Sequence, residues 1–414
     1  MERGGRLVMA ASLRPPMQRA SDQARMLHEQ LVGAAKSLQP LLAEHAAETE
    51  RERRVAEANI EALRDAGLFR MLTPKRCGGH EIGARAWLDV VALVAESCGS
   101  TAWVLSLLTN AAWFAGMLGD EARTEIFGTN PDTRIAGVFA PCEGMQREDA
   151  GIRISGKWFW ASGSLHADWA MLGVLERDAQ ARVVDHWLGF VPMRELAIEN
   201  TWYASGMKGT GSNCLVAENL FVPARRLMSL REAIAGTIPN TNPDETLYRA
   251  ACVPMMVLAL LGPQLGLARA ALQHVISGAG RRNVPYTIYQ READSPGFQM
   301  QIAEAALKID SAHLHAYRIA DDIDAFAGRG QRMDLTTRAR ARASAGYVGK
   351  LVTEAINTLI SAYGAGAFAD ANPLQRIWRD ANTAARHALV LPPVCEEIYG
   401  KALLGLDNNI TPLI

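Results

Sequence analysis

The sequence predicts an α+β fold, mainly α, in which a small antiparallel β-domain separates an N-terminal helical domain from a C-terminal four-helix bundle. The first third is rich in Ala, Leu, Glu and Arg, with apolar residues at helical spacing. From residue 134 to residue 235, β-branched and aromatic runs such as RIAGVFAP and RVVDHWLGFVP are punctuated by Gly, Pro and Asp, which is typical of short strands. Residues 236–414 return to long helical patterns.

The composition is that of a large globular protein without a long-range electric field. The chain has 414 residues, of which 49% are hydrophobic, and a formal net charge of −1. This balance would attract neither nucleic acid nor an anionic membrane, so we expect neither as a partner. Six scattered cysteines form no CxxC pair, which predicts reduced thiols and a cytoplasmic location.

The N-terminal domain, residues 21–133, follows a leader. Residues 1–20 contain only a short apolar segment that two prolines end, so we expect a disordered leader there rather than a signal peptide. Residues 97–119 carry no charge and are long enough to span a bilayer. They also contain Ser, Thr, Asn and Gly, which favours a fully buried helix inside a helical domain.

The C-terminal domain is predicted to contain four helices, at about residues 248–280, 296–328, 334–363 and 373–404. The second of them carries apolar residues in alternating steps of four and three from Ile302 to Ile323. Such a heptad stripe suits a helical bundle and provides a large apolar face.

Three glycine-containing motifs raise the question of a bound ligand. WFWASGSLHADW, residues 158–169, gathers three tryptophans around two serines. GMKGTGSN, residues 206–213, can bring backbone N–H groups and hydroxyls close to a ligand, and is equally typical of a plain β-turn. YGAGAFA, residues 363–369, matches the dinucleotide pattern GxGxxA, but a helix precedes it where that pattern needs a strand. We therefore interpret it as a glycine helix stop.

The histidines indicate no metal site but single out one position. There is no HExxH motif, and His313 and His315 project from different faces of a helix, so we expect no metal. His387 begins an apolar run between a long helix and a proline pair. A histidine at such a break can face a pocket.

Five motifs, in this order along the chain, resemble one branch of the acyl-CoA dehydrogenase superfamily: AGVFAP, SGKWFWASGSLHADW, GMKGTGSNCLVAENLFVP, YGAGAF and PLQRIWRDANTAARHA. That branch is the flavin-dependent monooxygenases that serve as oxygenase components of two-component systems. It includes hydroxyphenylacetate and secosteroid hydroxylases, dibenzothiophene monooxygenase and amino-sugar N-oxygenases. The resemblance extends from about residue 38 to about residue 405 and implies the acyl-CoA dehydrogenase-like fold.

The resemblance also implies a reaction and its participants. Reduced FMN or FAD, supplied by a separate flavin reductase, would react with O2 to give a C4a-hydroperoxide. That species would insert one oxygen atom into an aromatic or heteroaromatic small molecule. A dry pocket walled by aromatic side chains would delay the loss of hydrogen peroxide. The family forms homotetramers through the C-terminal bundle, so we expect one here.

Carried over residue by residue, the resemblance implies a site. Ser162 would hydrogen-bond flavin N5, and His387 would act as an acid or base on the substrate or on the peroxide. The residues expected to bind the cofactor are Trp160, Ala161, Ser162, Gly209, Thr210, Ser212, Arg281, Arg282, Tyr363, Gly364 and Gly366. Arg281 and Arg282 are alternatives for the contact with the flavin phosphate. The residues expected to bind substrate are Asn110, Trp113, Phe139 and Trp158.

Two departures from known patterns bear on the activity. Acyl-CoA dehydrogenases carry a catalytic glutamate after an Arg-Asp pair, whereas the corresponding stretch here, RHALV, carries His387. Where some oxygenases have a second histidine on the buried helix, this chain has Thr109, Asn110 and Trp113, which leaves the substrate open. The alternatives are an N- or S-oxygenase, an acyl-CoA dehydrogenase or other flavin oxidase, and a non-catalytic helical scaffold.

Overall fold

The first part of the chain is helical and packs around one central helix. The computed structural model describes residues 22–239, 242 and 244–414, so the predicted leader at residues 1–20 lies outside the described residues. The helices of this part are α1 (Asp22–Glu44), α2 (Ala46–Glu52), α3 (Glu57–Asp65), α4 (Ala84–Ser97), α5 (Gly99–Gly116) and α6 (Asp120–Phe127). In α5, 17 of 18 residues are buried, which confirms that the uncharged stretch is a core helix.

A hydroxyl of α5 is satisfied inside the protein. The Thr109 hydroxyl donates to the Leu105 carbonyl at 2.8 Å and accepts from the Trp87 indole at 3.1 Å. Among the described residues, one helical stretch, Cys252–Gly278, is long and apolar enough to cross a membrane, but 83% of its most apolar window is buried within the protein. It is therefore a second core element of the same kind.

The middle part forms two four-stranded sheets that enclose a common core. Its strands are β1 (Ile135–Cys142), β2 (Met145–Glu148), β3 (Gly151–Ala161), β4 (Trp169–Arg177), β5 (Val183–Pro192), β6 (Ala197–Glu199), β7 (Asn213–Pro223) and β8 (Leu227–Ser229). The strand orders are β1-β4-β5-β8 and β2-β3-β7-β6. Alternate apolar residues of both sheets, such as Leu172 and Leu215, meet in a single cluster.

One pair of strands departs from the predicted antiparallel arrangement. β1 and β4 run parallel, with Ile135 opposite Trp169, whereas the other pairs among the described strands are antiparallel. Between β1 and β4 the chain leaves for the second sheet and forms β2 and β3 there. This crossover brings β4 back beside β1 in the same direction.

The last part is a bundle of long helices. Its helices are α7 (Leu230–Ala235), α8 (Cys252–Leu258), α9 (Leu261–Gly278), α10 (Pro296–Gly328), α11 (Leu335–Tyr363), α12 (Pro373–Ala384) and α13 (Pro392–Leu404). Helices α9, α10 and α11 pack against one another, and α12 and α13 pack on α11. Helix α9 also packs on α4, which joins the bundle to the N-terminal helices.

Two of the four predicted blocks are each divided into two helices, and proline explains both breaks. In the first block, Pro263 has no N–H for the Ala259 carbonyl, so the helix is interrupted and the Ser106 hydroxyl donates to that carbonyl at 2.6 Å. In the fourth, Pro392 holds Leu391 in an extended conformation and begins α13. The connection between α12 and α13 contains His387.

The predicted heptad stripe lies inside the bundle of its own chain rather than on the surface. Ile309, Ala316 and Ile323 are all buried in the main core. A different set of residues on α10 is exposed at the same spacing of seven. These are Met300, Leu307 and Leu314, at 69%, 68% and 67% exposure.

Candidate active site

An irregularity at the end of β3 creates an outward aromatic surface. Regular alternation would direct Trp158 and Trp160 to the same face. The register with β7 shifts between Trp158 and Ala161, and Trp160 adopts a left-handed φ of 65°. As a result Trp158 enters the core, whereas Phe159 and Trp160 are 45% and 68% exposed. The strand thus presents two adjacent rings immediately before the buried Ser162.

The loop at residues 206–212 lies beside Ser162 and is held from two sides. A Cβ on Gly206 would come within 2.2 Å of the Arg379 carbonyl, and one on Gly209 within 2.3 Å of Thr49. Only glycine permits these close approaches. The Asp380 carboxylate accepts the Met207 N–H at 2.5 Å. The loop is therefore fixed to α12 on one side and to α2 on the other.

Asp380 is a buried carboxylate, and it belongs to no prediction made from the sequence. Burial raises its pKa to about 6, although the hydrogen bond from Met207 N–H favours the ionised form. Neither its position relative to the loop nor its role could be read from the chain, because 173 residues separate the two partners.

Three hydroxyls form a continuous chain between strand and loop. Ser162 Oγ lies 2.7 Å from Ser212 Oγ, which lies 2.6 Å from Thr210 Oγ1. Thr210 Oγ1 in turn donates to the Met207 carbonyl at 2.8 Å. All three hydroxyl residues are buried. The structure thus brings together Ser162, Thr210 and Ser212, which were predicted to contact the cofactor.

Trp103 of α5 completes this group and was missed in the sequence. Its indole N–H donates to Ser162 Oγ at 3.2 Å, and its ring centroid lies 6.1 Å from that of His387. It therefore connects the two residues expected to be catalytic. The available signal was weak, since Trp103 is one of two tryptophans on a helix of mostly small and aliphatic residues.

His387 presents an N–H group rather than a lone pair to its surroundings. The Leu389 N–H donates to His387 Nδ1 at 3.3 Å, so the neutral ring carries its proton on Nε2. Burial and, to a smaller extent, the Arg342 guanidinium lower the pKa of His387 to about 4. The imidazole is half-buried and is neutral at physiological pH. Arg342 also supports the turn directly, because its Nε donates to the Leu389 carbonyl at 2.8 Å.

A second group of predicted cofactor residues lies on the bundle, at the ends of α9 and α11. Arg282 pairs with the buried Glu292 at 2.5 Å and stacks on the Tyr363 ring at 3.4 Å from its centroid. Arg281 is exposed, and among the described residues its side chain donates only to the Ser277 carbonyl, at 3.2 Å. The two arginines are therefore not equivalent. Arg282 is held between Glu292 and the Tyr363 ring, with only its buried Nε lacking an acceptor among the described residues, whereas the Arg281 guanidinium is exposed.

Gly364 and Gly366 belong to the same region. Helix α11 ends at Tyr363, and Gly364 follows with a φ of 81°, which confirms the interpretation of YGAGAFA as a helix stop. Among the described residues, no hydrogen bond, ion pair or ring contact joins Arg281, Arg282, Tyr363, Gly364 or Gly366 to Ser162 or His387.

Two of the four residues predicted to bind substrate, Trp158 and Trp113, are deeply buried. Trp158 is 1% exposed, lies in the core between the sheets and donates to the Gly173 carbonyl at 2.7 Å. Trp113 is fully buried and donates to the Leu247 carbonyl at 3.3 Å. Both indoles are therefore packed within the protein and have their N–H groups satisfied, so a contact with substrate stays a prediction for them.

The other two residues of the predicted substrate set remain open to a ligand. Asn110 is buried, but its side-chain amide nitrogen has no hydrogen-bond partner among the described residues. Phe139 is half-buried, with its ring edge against Phe114 at 5.2 Å between centroids. An unpartnered buried amide calls for a partner that the protein does not itself supply.

An open groove of about 1000 Å³ adjoins the outer side of the loop. Its lining consists of Ala47, Glu50, Arg51, Arg53, Tyr203, Ala204, Lys208, Asp370, Gln375 and Arg379. Arg379 and Lys208 both pair with Glu50, at 2.5 and 3.6 Å. These ion-paired walls do not suit a flat apolar ring, and the groove includes neither Ser162 nor His387, so we do not place the chemistry there.

The residues around Ser162, namely Phe159, Trp160, Trp103 and His387, fit a flavin. A reduced flavin ring has flat apolar faces and a polar edge that carries an N–H at N5. The outward rings of Phe159 and Trp160 match the faces, and the buried Ser162 hydroxyl can accept a hydrogen bond at the edge. A sheet domain between two helical domains, with this surface and a neutral imidazole, defines the class of flavin-dependent oxidoreductases.

Comparisons with known proteins identify the family. The family models for the acyl-CoA dehydrogenase N-terminal and C-terminal domains match residues 21–125 and 258–392. The flavin-dependent monooxygenase oxygenase subunit HsaA of Rhodococcus jostii is 32% identical over 91% of this chain and 98% of its own length. The oxygenase component of the FADH2-dependent resorcinol hydroxylase of Rhizobium sp. is 30% identical over 92% of this chain and 95% of its own length.

A solved structure agrees with these relatives. XiaF from Streptomyces sp., in complex with FADH2 and glycerol, superposes with a TM-score of 0.88 at 34% identity, over 94% of this chain and 98% of its own. The chain belongs to the flavin-dependent monooxygenases of the acyl-CoA dehydrogenase superfamily, as an oxygenase component. The predicted family, fold and class of enzyme are thereby confirmed.

Proposed function

We propose that this oxygenase hydroxylates the ring of an aromatic small molecule, with O2 and with reduced FAD or FMN that a separate flavin reductase supplies. The observation that carries the proposal is the arrangement around the Trp103 indole. A buried serine hydroxyl bonds to its N–H, and the neutral imidazole of His387 lies 6.1 Å from its ring. Two relatives are named for aromatic substrates, resorcinol and p-hydroxyphenylacetate, which supports the choice of an aromatic ring.

The bound flavin would supply the activation of oxygen, and the chain's own residues would orient it and keep it dry. Ser162 would accept the N5–H, and Trp160 and Ala161 would lie along the ring. Gly209, Thr210 and Ser212 would support this contact from the loop. Exclusion of water by the aromatic surface limits unproductive release of peroxide. FADH2 in the names of two relatives favours FAD over FMN.

His387 would act as a hydrogen-bond donor through Nε2–H, directed at the oxygen that is transferred or at the substrate hydroxyl. To act as an acid, the ring would first have to take up a second proton on Nδ1, where it now accepts from Leu389 N–H. This role differs from that of the carboxylate base by which a dehydrogenase removes a proton from carbon. An acyl-CoA dehydrogenase is therefore the less favoured reading, because the position holds a neutral ring that already carries its proton.

The second group of residues would bind the flavin phosphate, and we assign that contact to Arg281. Its guanidinium is exposed, whereas Arg282 is paired with Glu292 and stacked on Tyr363. Gly364 lies at the end of the same helix as Tyr363. Because none of its hydrogen bonds, ion pairs or ring contacts reaches Ser162 within the chain, it would serve the flavin of a neighbouring subunit.

A homotetramer is the assembly that we propose. Met300, Leu307 and Leu314 form an exposed apolar row on α10, with the heptad spacing of a helix–helix contact. We also expect a cytoplasmic location, which the six free cysteines support.

The test combines flavin binding with oxygen incorporation. Anaerobic titration with reduced FAD and reduced FMN should show saturable binding. Mixing the complex with ¹⁸O2 and p-hydroxyphenylacetate, resorcinol or indole-3-acetate should give a product that contains one labelled oxygen atom. Failure to bind reduced flavin, or oxidation of acyl-CoA thioesters without oxygen incorporation, would contradict the proposal. A labelled sulfoxide or N-oxide from a thioether or amine probe would instead indicate the S- or N-oxygenase alternative.

A further inference from the structure

The hydroxyl chain next to the flavin position contains three protons, and these can be counted. Ser162, Ser212 and Thr210 each have one O–H donor and two acceptor lone pairs. The two contacts between them, at 2.7 and 2.6 Å, use two of the three protons. The Trp103 N–H always donates into Ser162, since an indole has no acceptor. The third proton then leaves the chain at one of its two ends, because the remaining arrangement, in which Ser212 accepts from both neighbours, leaves the Ser212 proton without an acceptor among the described residues.

Two directions of the chain follow. In the inward direction, Ser162 donates to Ser212, Ser212 to Thr210, and Thr210 to the Met207 carbonyl at 2.8 Å. Ser162 then has one lone pair left and can only accept from a ligand. In the outward direction, Thr210 donates to Ser212, Ser212 donates to Ser162, and Ser162 donates to the ligand. The bond from Thr210 to Met207 is then lost.

The Met207 carbonyl is a firmly placed end point. It also accepts from the Trp202 indole at 2.9 Å and from the Thr210 backbone N–H at 3.1 Å. The Met207 N–H is held by the buried Asp380 at 2.5 Å. Since the residue is anchored through both of its backbone polar groups, its carbonyl stays within reach of the Thr210 hydroxyl. This hydroxyl is the third donor to an oxygen with two lone pairs, so the inward direction has one more hydrogen bond than the outward one, and that bond is shared.

We propose that the bond from Thr210 to the Met207 carbonyl sets Ser162 as a hydrogen-bond acceptor and thereby makes the site prefer reduced over oxidised flavin. This inference rests on the proposed function. Reduced flavin has a proton on N5 and matches an acceptor, whereas oxidised flavin has a lone pair there and needs a donor. Thr210 and Ser212 are therefore positioning residues that act through Ser162, and Asp380 holds the end point of the chain.

The structure also sets the size of the effect. To bind oxidised flavin with the same contact, the chain must reverse and lose the hydrogen bond between Thr210 and Met207. The loss of one neutral hydrogen bond corresponds to roughly a 2- to 13-fold change in an equilibrium constant. This factor is the part of the preference for reduced flavin that the hydroxyl chain contributes.

Thr210→Val is the decisive change. It removes the inward acceptor of Ser212, whose proton can then go only to Ser162, so Ser162 becomes a donor toward the flavin. Ser212→Ala gives the same result by a different route, because the Ser162 proton loses its inward acceptor. Thr210→Ser is the matched control, since it keeps the hydroxyl and hence the inward direction.

The experiment measures dissociation constants of oxidised FAD and of anaerobically reduced FAD for each variant, by flavin absorbance and fluorescence. We expect the ratio of the oxidised to the reduced constant to fall about 2- to 13-fold in Thr210→Val and in Ser212→Ala, and to stay within about twofold in Thr210→Ser. Far-UV circular dichroism and thermal melting check folding, and if Thr210→Val does not fold, Ser212→Ala gives the answer.

The outcomes separate this inference from the function on which it rests. An unchanged ratio in both Thr210→Val and Ser212→Ala, or equal weakening of both flavin states, would overturn the role of the hydroxyl chain and leave the monooxygenase intact. A wild-type protein that binds neither flavin state would overturn the proposed function itself.

Discussion

The orientation of the His387 ring gives a prediction that distinguishes hydrogen-bond donation from proton transfer by this residue. Because Leu389 N–H occupies Nδ1, only Nε2–H is available to the active site. A glutamine at this position places an amide N–H where Nε2–H lies. An asparagine places its carbonyl near Nδ1, where it can still accept from Leu389, and offers nothing at Nε2. The pair therefore separates the donor toward the site from the local support of the turn.

The expected magnitudes follow from the role. If His387 donates a hydrogen bond to developing charge, its loss in His387→Asn should slow oxygen transfer roughly 10- to 150-fold, from about 1.5–3 kcal/mol for such a bond. His387→Gln, which retains a donor, should stay within about tenfold of the wild type. If His387 instead transfers a proton, both variants should lose roughly 10² to 10⁴ in rate.

The assay is a single turnover of the reduced-flavin complex with O2 and the aromatic compound that the substrate panel identifies. Product and hydrogen peroxide are both quantified. We expect the peroxide fraction to rise in His387→Asn more than in His387→Gln, while both variants bind reduced flavin as the wild type does. Equal and large losses in the two variants, or wild-type turnover in His387→Asn, would show that the donor assignment is wrong.

The same residue predicts a pH dependence of stability. Its pKa in the folded protein, about 4, lies below the ordinary value of about 6.5. The unfolded chain therefore binds a proton at pH values where the folded protein does not, and this residue costs stability as the pH falls from about 6.5 to about 4. The cost is on the order of 3 kcal/mol at most. Urea unfolding of the wild type and of His387→Gln should be compared at pH 7.5 and pH 5. The free energy of unfolding of the wild type should fall more between these two pH values than that of the glutamine variant. Identical pH dependences would show that the folded-state pKa is not depressed.

Three further predictions concern the rest of the site. Arg281→Ala should weaken binding of reduced FAD by about tenfold or more in titrations, with little change in melting temperature. Arg282→Ala should instead lower the melting temperature, because it leaves buried Glu292 unpaired. The opposite pattern would assign the flavin phosphate to Arg282. Light scattering should show a tetramer that Leu307→Asp dissociates, and a wild-type monomer at micromolar concentration would rule the assembly out. Asp380→Ala should weaken flavin binding severalfold, because Met207 N–H loses its acceptor. Asp380→Asn keeps an acceptor for that N–H, so it should retain most of the affinity and show no change in affinity near pH 6. Equal flavin affinities in the two variants would show that Asp380 does not anchor the loop.

The sequence predicts the helical parts well where local signals mark their ends. Helix α10 begins at Pro296 after Ser295, whose hydroxyl accepts the Phe298 N–H, and α11 begins after Asp334, whose carboxylate accepts the Thr337 N–H. These caps are visible in the chain itself. The order of strands and the parallel β1–β4 pair are not, because they depend on contacts between residues far apart in sequence.

The sequence also leaves parts of the active site unpredicted, again because they depend on contacts between residues far apart in the chain. Ser162 and His387 could be chosen by resemblance to known motifs, and the structure connects them through Trp103. No local pattern indicates that this indole meets Ser162, since 59 residues separate the two. Nor does strand alternation reveal that Trp160 turns outward, because the bulge that reverses it is a feature of the pairing with β7.

The glycine loop explains why the site cannot exist without the whole fold. Its backbone is pressed against α12 at Gly206 and against α2 at Gly209, with no space for a Cβ at either contact. Its hydroxyls reach Ser162, which directly follows β3, and its Met207 N–H is bound by Asp380 of α12. Elements from the N-terminal helices, the sheets and the bundle thus meet within one segment of seven residues, 206–212. A substitution such as Gly206→Ala, outside the hydroxyl chain itself, would separate the loop from α12. It would thereby disturb the Ser162 hydroxyl, so binding of reduced flavin reports on the packing of all three parts.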